Sequence, residues 1–307
     1  MKKKILLILL LLLFLFFTST SVSTDIQPKI KVGVSLMSNQ AFFKVMLEAI
    51  KEEVEVKLNG TLMVSYAEHS ITKQIADVEE MIDNKIDFLL FNAVDSEAAE
   101  PAIVIAKNAG IPVVCLDVDA VGPRDIYIGS DNYQAGVLCG EYIVERLQGK
   151  GKVAILNGNP VSSVRMRYNG FIDVIKKNPD IKIIAEENGD GDFIKSVNAT
   201  ELILENYKKI DAIYAVNDPS ALGALAAVEV ANQQKGLFIV GIDGSPDAVQ
   251  AVLNHTAFAA TAAQDPAKIG QLGVKYGLKL LVQEKVPNTF PVKVKLIKND
   301  NAKGFSW

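Results

Sequence analysis

From Ile30 onward, short apolar runs alternate with amphipathic stretches, and this alternation limits most what the chain can fold into. Five of the apolar runs read as β-strands that lead into polar residues. Residues 30–35 run on toward Asn39, Gln40, Phe42 and Phe43. Residues 88–91 end on Asn92, 113–116 on Asp117, 212–216 on Asn217 and 238–242 on Asp243. The stretches between them carry apolar residues near the helical period, as in Ile71, Ile75, Val78 and Ile82. Gly110 and Pro112 punctuate the end of a helix predicted from Pro101 to Ala109. Pro219, Pro246 and Pro266 fall where helices should start, since proline has its φ preset for the first helical position. Strand and helix in alternation give an open, mostly parallel sheet. The carboxyl ends of its strands share one edge, where ligands bind.

The cadence runs from residue 30 to about 130 and again from about 152 to 263. The fold class is therefore α/β, with two doubly wound parallel-sheet lobes. A length of 307 residues suits two domains. No long Pro/Gly/Ser tether separates the halves, which predicts short hinge strands instead. With 22% charged and 49% hydrophobic residues the composition is that of an ordinary globular protein. A net charge of −4 argues against a nucleic-acid partner, which would call for a basic face.

Lys2 to Lys4, the unbroken apolar run from Ile5 to Phe17 and the Ser/Thr-rich stretch after it read as an export signal. A run of about 13 residues is short for a spanning helix, which needs roughly 20. Two readings stay open, a cleaved signal peptide and an uncleaved membrane anchor; in both, residues 1–24 lie outside the fold. No cysteine follows the run to carry a lipid. Cys115 falls in a strand and Cys139 in a helix, and both are expected to be buried thiols.

Arg165 stands in the first turn of a helix expected over residues 164–177. A cation there faces the positive end of the helix dipole at a cost of about 0.3–1 kcal/mol, which implies a ligand or carboxylate partner. Its planar fork of donors suits hydroxyls and carboxylates. Arg167 reads as a surface residue. Asp117 and Asp119 flank Val118, which would send both carboxylates to one side of the chain. Ionised carboxylates only accept hydrogen bonds, so with Arg165 they would recognise a neutral polyol. Asp218 and Ser245, each before a proline, read as helix caps, leaving Asn217 and Asp243 to face the crevice. Phe42 and Phe43 open a helix, one ring against a sugar face and the other in the core. His69 and His255, the only histidines, are far apart, and no nucleophile–base, metal or phosphate-loop motif is present. Nothing marks the chain as an enzyme.

Taken in order, several segments resemble the type I extracytoplasmic sugar-binding proteins, most closely the ribose-binding branch. They include residues 90–96, 111–117, 129–132 with Ala135 and Gly136, and Arg165 and Arg167 with Gly170 and Phe171. Further segments are residues 216–224, 240–247 and 259–265. The resemblance implies a ligand shell of Asn39, Gln40, Phe42, Phe43, Asn92, Asp117, Arg165, Asn217, Asp243 and Gln264, to which the reading above adds Asp119. It implies three crossings between lobes, near Ser130, Gln264 and Val292. The lobes would then comprise residues 25–130 with 265–292, and 131–264 with 293–307. It also implies a monomer that closes on a monosaccharide and serves an ABC transporter permease, or alternatively a membrane sensor kinase or chemoreceptor. In ribose binders an arginine follows the aspartate equivalent to Asp117, whereas here Val118 and Asp119 follow. Gly191 and Ile242 stand where aromatic residues are usual, with Phe193 near Gly191. These departures point to a different pentose or a deoxysugar.

Overall fold

The short strands are buried along their whole length wherever helices cover both faces of a parallel sheet. In the computed structural model, which describes residues 29–232 and 235–307, this holds for β3 (Phe88–Phe91), β4 (Val113–Leu116) and β5 (Ile126–Ser130). The first sheet is completed by β1 (Lys31–Leu36), β2 (Thr61–Tyr66) and β11 (Thr289–Val292). Its strand order is β11-β5-β4-β3-β1-β2, all parallel. The helices α1 (Ala41–Lys51), α2 (Ile71–Asp83), α3 (Glu100–Asn108) and α9 (Pro266–Leu281) cover it.

The second sheet repeats the pattern with β6 (Gly151–Asn157), β7 (Ile181–Asn188), β8 (Ala212–Ala215), β9 (Phe238–Asp243), β10 (Phe258–Ala263) and β12 (Lys295–Lys298). Its order is β12-β10-β9-β8-β6-β7, parallel except for β12. It carries α4 (Asn132–Arg146), α5 (Ser162–Ile175), α6 (Phe193–Asn206), α7 (Asp218–Val230) and α8 (Pro246–Leu253), with the short α10 (Asn299–Ala302) beside α8. Each sheet has an apolar layer on both faces. The architecture is the two-lobed, doubly wound α/β fold expected from the cadence.

Between the sheets the chain crosses three times: after Ser130, around Gln264 and Asp265, and between Val292 and Lys295. The prolines sit where expected, at the starts of α7, α8 and α9. Helix α5 begins at Ser162, two residues earlier than the sequence suggested. Both cysteines are free and buried. The expected export signal or anchor, residues 1–24, lies outside the described residues.

Candidate ligand-binding site

In each sheet the strand order reverses beside the first strand, so the crevice opens between β1 and β3 and between β6 and β8. In the first lobe, Asn92 ties three strand ends together. Its Oδ1 accepts from the Met37 amide at 3.1 Å, and its Nδ2 donates to the Leu116 carbonyl at 3.0 Å and toward Asp117 at 3.5 Å. Gln74, fully buried, holds Asn92 from below by donating to its carbonyl at 2.8 Å and accepting from the Val94 amide at 2.9 Å. Asp117 takes a left-handed φ of 62°, which ends β4 and turns the side chain toward Asn92. The Tyr127 hydroxyl donates to its carbonyl at 2.8 Å.

The second lobe builds its edge around Asp218. This residue is fully buried; it accepts from the Ser245 amide and from the Thr261 hydroxyl, each at 2.7 Å. It thereby holds the turn in which Asp243 has a φ of 144°. The Asp243 carboxylate accepts from Gln264 Nε2 at 2.7 Å, from Arg167 at 3.3 Å and from the Asp218 amide at 3.3 Å. Arg167 is 5% exposed and also donates to Asn132 Oδ1 at 2.8 Å and to the Val216 carbonyl at 3.0 Å. Gln264 Oε1 and Ser38 Oγ, both at strand ends, are buried with no hydrogen-bond partner among the described residues.

Across the crevice the two lobes sense each other. Burial pushes the Asp117 carboxyl up to about 7, with Arg167 of the other lobe opposing the rise and Asp243 adding to it. Burial also raises Asp218, to about 7, and raises Asp243, which Arg167 and Gln264 partly restrain. Ser162 stitches the rim: its amide donates to Ser96 Oγ at 2.9 Å, and its Oγ accepts from the Asp119 amide at 2.9 Å. The site is a buried cluster in which one guanidinium donates, the carboxylates accept and the side-chain amides do both.

The structure brings together Asn92, Asp117, Asp243 and Gln264, and reverses the reading of the two arginines. Arg165 is exposed and donates to the Pro160 carbonyl, a local partner at the helix start. Arg167 lies on the buried face of α5 with Ser163, Gly170 and Phe171. Two residues along a helix turn the side chain about 200° around the axis, so only one of the pair can face the crevice. The spacing of Arg167 to Gly170 and Phe171 carried that signal in the sequence. Asn217, expected to be free, is itself the cap of α7: it accepts from the Ser220 amide at 3.0 Å and donates to the Gly191 carbonyl at 3.0 Å. Asp218 is therefore the buried support and not the cap, while Ser245 does cap α8.

Asp119 parts from Asp117. Its carboxylate is held by Arg124, with Nη2 at 2.7 Å. The left-handed turn at Asp117 breaks the extended alternation on which the same-side expectation rested. Phe43 is 6% exposed and belongs to the core of the first lobe. Phe42 is half-buried and meets Trp307 edge-on, with ring centroids 5.7 Å apart. Asn39 and Gln40 are exposed, and neither side chain bonds to another among the described residues. The sequence reading passed over Asn132, Gln74 and Trp307.

Two sheets with this strand order, opposed at their carboxyl ends across a polar crevice, define a two-lobed solute-binding protein. The periplasmic binding protein domain matches residues 30–285, and the chain belongs to this family, in its ribose-binding-protein-like branch. It is 36% identical to the ribose import binding protein RbsB of Haemophilus influenzae over 90% of this chain and 93% of that one. It is 29% identical to a D-ribose/D-allose-binding protein of Pseudomonas aeruginosa, covering 84% and 83% of the two chains. A periplasmic solute-binding protein from Actinobacillus succinogenes with bound D-allose superposes with a TM-score of 0.85 at 29% identity, over 90% of this chain and 100% of the other. The fructose-binding periplasmic domain of a hybrid two-component system gives 0.84 at 28% identity, over 89% and 92%.

Proposed function

We propose that the protein captures a neutral monosaccharide, a pentose or a deoxysugar, between its lobes and delivers it to an ABC importer. The observation that carries this is the set of polar strand ends on the two sheets, Asn92 with Asp117 in one lobe and the Arg167–Asp243 pair held by Gln264 in the other. Sugar hydroxyls donate and accept, and this cluster does both. An amino acid would need a carboxylate clamp and an ammonium site instead. The ribose and allose relatives support the ligand class. Asn92, Asn217 and Gln264 would complete the polar shell, and Asn39, Gln40 and Phe42 would close it from the first lobe. Residues 25–130 with 265–292 would then move against residues 131–264 with 293–307 about the three crossings, as periplasmic binding proteins do on closing around ligands. Residues 1–24 would export the protein or hold it at the outer face of the membrane.

A second reading, a sensor reporting to a membrane kinase, is favoured by the likeness to the two-component fructose-binding domain and by the absence of a cysteine from residues 18–24, directly after the apolar run. Calorimetry against pentoses, hexoses, deoxysugars and amino acids tests the ligand class; saturable binding of a sugar and of no amino acid is expected. Amino-acid binding with no sugar bound would reject it. Neighbouring genes for a permease and ATPase, as opposed to a kinase and response regulator, separate importer from sensor.

A further inference from the structure

The second lobe brings polar groups to the crevice, but its strand ends carry no ring. Ile242 is fully buried in the core of that lobe, Gly191 beside Asn217 has no side chain, and Phe193 is 41% exposed at the start of α6. Trp307 is placed differently. Phe305 anchors the segment by packing onto the second-lobe core, with Lys295 Nζ 4.6 Å from its ring, and its amide turns back onto the Ala302 carbonyl at 3.0 Å. Two residues on, Trp307 Nε1 donates to the Asp243 carbonyl at 2.9 Å. Its ring stands at 88° to that of Phe42, which belongs to the other lobe. Trp307 and Gln264 also share the lining of a cavity of about 740 Å³ beside the crossings.

We propose that Trp307 is a ligand-contacting residue whose indole forms an aromatic wall against the C–H face of the sugar. This rests on the sugar-capture reading above. A monosaccharide has a hydroxyl rim and an apolar C–H face. The rim suits Asp117, Asp243 and Arg167, and the C–H face needs an apolar surface, which two rings at right angles supply as a corner. The bond to Asp243 fixes the indole next to the carboxylate that would hold the hydroxyls, so little side-chain freedom remains to be lost on binding. The contact with Phe42 spans the lobes, so the environment of the ring should change on closure.

The sequence contains a single tryptophan, so indole emission reports this residue alone. Calorimetry with the sugar panel comes first; if no sugar binds, the capture reading falls and this proposal falls with it. For a sugar that binds, saturation should shift the emission of the wild type. Trp307→Ala should weaken binding about tenfold, and unequally among the sugars that bind because epimers present different C–H faces. Trp307→Phe, which keeps a ring, should stay within about threefold of wild type, and Phe193→Ala should bind as wild type does. Emission indifferent to a bound sugar, or Trp307→Ala binding equally well or more tightly, would overturn the role of Trp307 and leave sugar capture standing. So would an equal loss for every sugar, which would mark the ring as a structural brace.

Discussion

Asp117 and Asp243 face the crevice from opposite lobes, and both depart from ordinary backbone geometry, with φ of 62° and 144°. Such positions cost about 1–3 kcal/mol and persist where the surroundings hold them, here Asn92 and Tyr127 on one side and Asp218 on the other. Asp117 also carries a cost that depends on pH. Its carboxyl titrates at about 7 in the folded protein against an ordinary 3.8, so between those values the folded form binds more protons than the unfolded form. Stability therefore falls as pH rises through that window, and the penalty is complete above about 7. Asp117→Asn should raise the stability of the ligand-free protein above neutrality by up to about 4 kcal/mol and reduce this slope. Urea unfolding on either side of neutrality measures both. Sugar hydroxyls donate to the ionised form, so wild-type affinity should rise with pH through the same range, and Asp117→Asn should lose at least about tenfold in calorimetry. The arginines make a second test. Arg167→Ala leaves Asp243 buried without its counter-charge and should cost about 3–5 kcal/mol of stability along with sugar affinity. Arg165→Ala, on the surface, should change stability by less than about 0.5 kcal/mol and leave binding unchanged, as denaturant titration and calorimetry would show.

Arg167 reaches the crevice because two helices touch backbone to backbone. A Cβ on Gly136 of α4 would lie 1.9 Å from the Arg167 carbonyl oxygen, and one on Gly170 of α5 would lie 2.0 Å from the Tyr133 carbonyl oxygen. Only glycine permits that approach, which also sets Asn132, at the start of α4, within 2.8 Å of Arg167. Gly136→Ala or Gly170→Ala should push the helices apart at a cost of about 1–3 kcal/mol or more. Either should also weaken sugar binding, although neither glycine would touch the ligand. Thermal unfolding and calorimetry on the same samples would show both losses together, whereas a loss of stability with unchanged affinity would uncouple the helix contact from the site.

At the scale of the whole molecule, the lobes meet through Ser162, with its bonds to Ser96 and Asp119, and through the rings of Phe42 and Trp307. A ligand held by both lobes favours the closed arrangement only through contacts the open one lacks. Saturating sugar should therefore reduce the radius of gyration in small-angle scattering. Ser162→Ala removes part of the lobe-to-lobe bonding and should lower affinity by about 0.5–1.5 kcal/mol without touching the sugar. A wild type whose dimensions ignored a bound sugar would place the site within one lobe.

Strand periodicity, the prolines at helix starts and the polar residues at strand ends are local properties, and they were enough to define two doubly wound lobes and to bring Asp117 and Asp243 to their facing edges. Residues 90–96, 111–117 and 240–247 likewise carried the family in their order along the chain. Which of two nearby arginines turns inward depended on the packing of α4 against α5. Whether Asn217 or Asp218 caps α7 depended on Ser245 and Thr261, some 27 and 43 residues further along, competing for the carboxylate. Asp119 was lost to Arg124 once the turn at Asp117 broke the strand. Trp307 met Asp243 and Phe42 only through the fold, from 64 residues away in one case and from the other lobe in the second. Sequence fixes the conformation a residue prefers and the edge it reaches, but its partners are set by segments distant in the chain, and those meet only when both sheets are assembled.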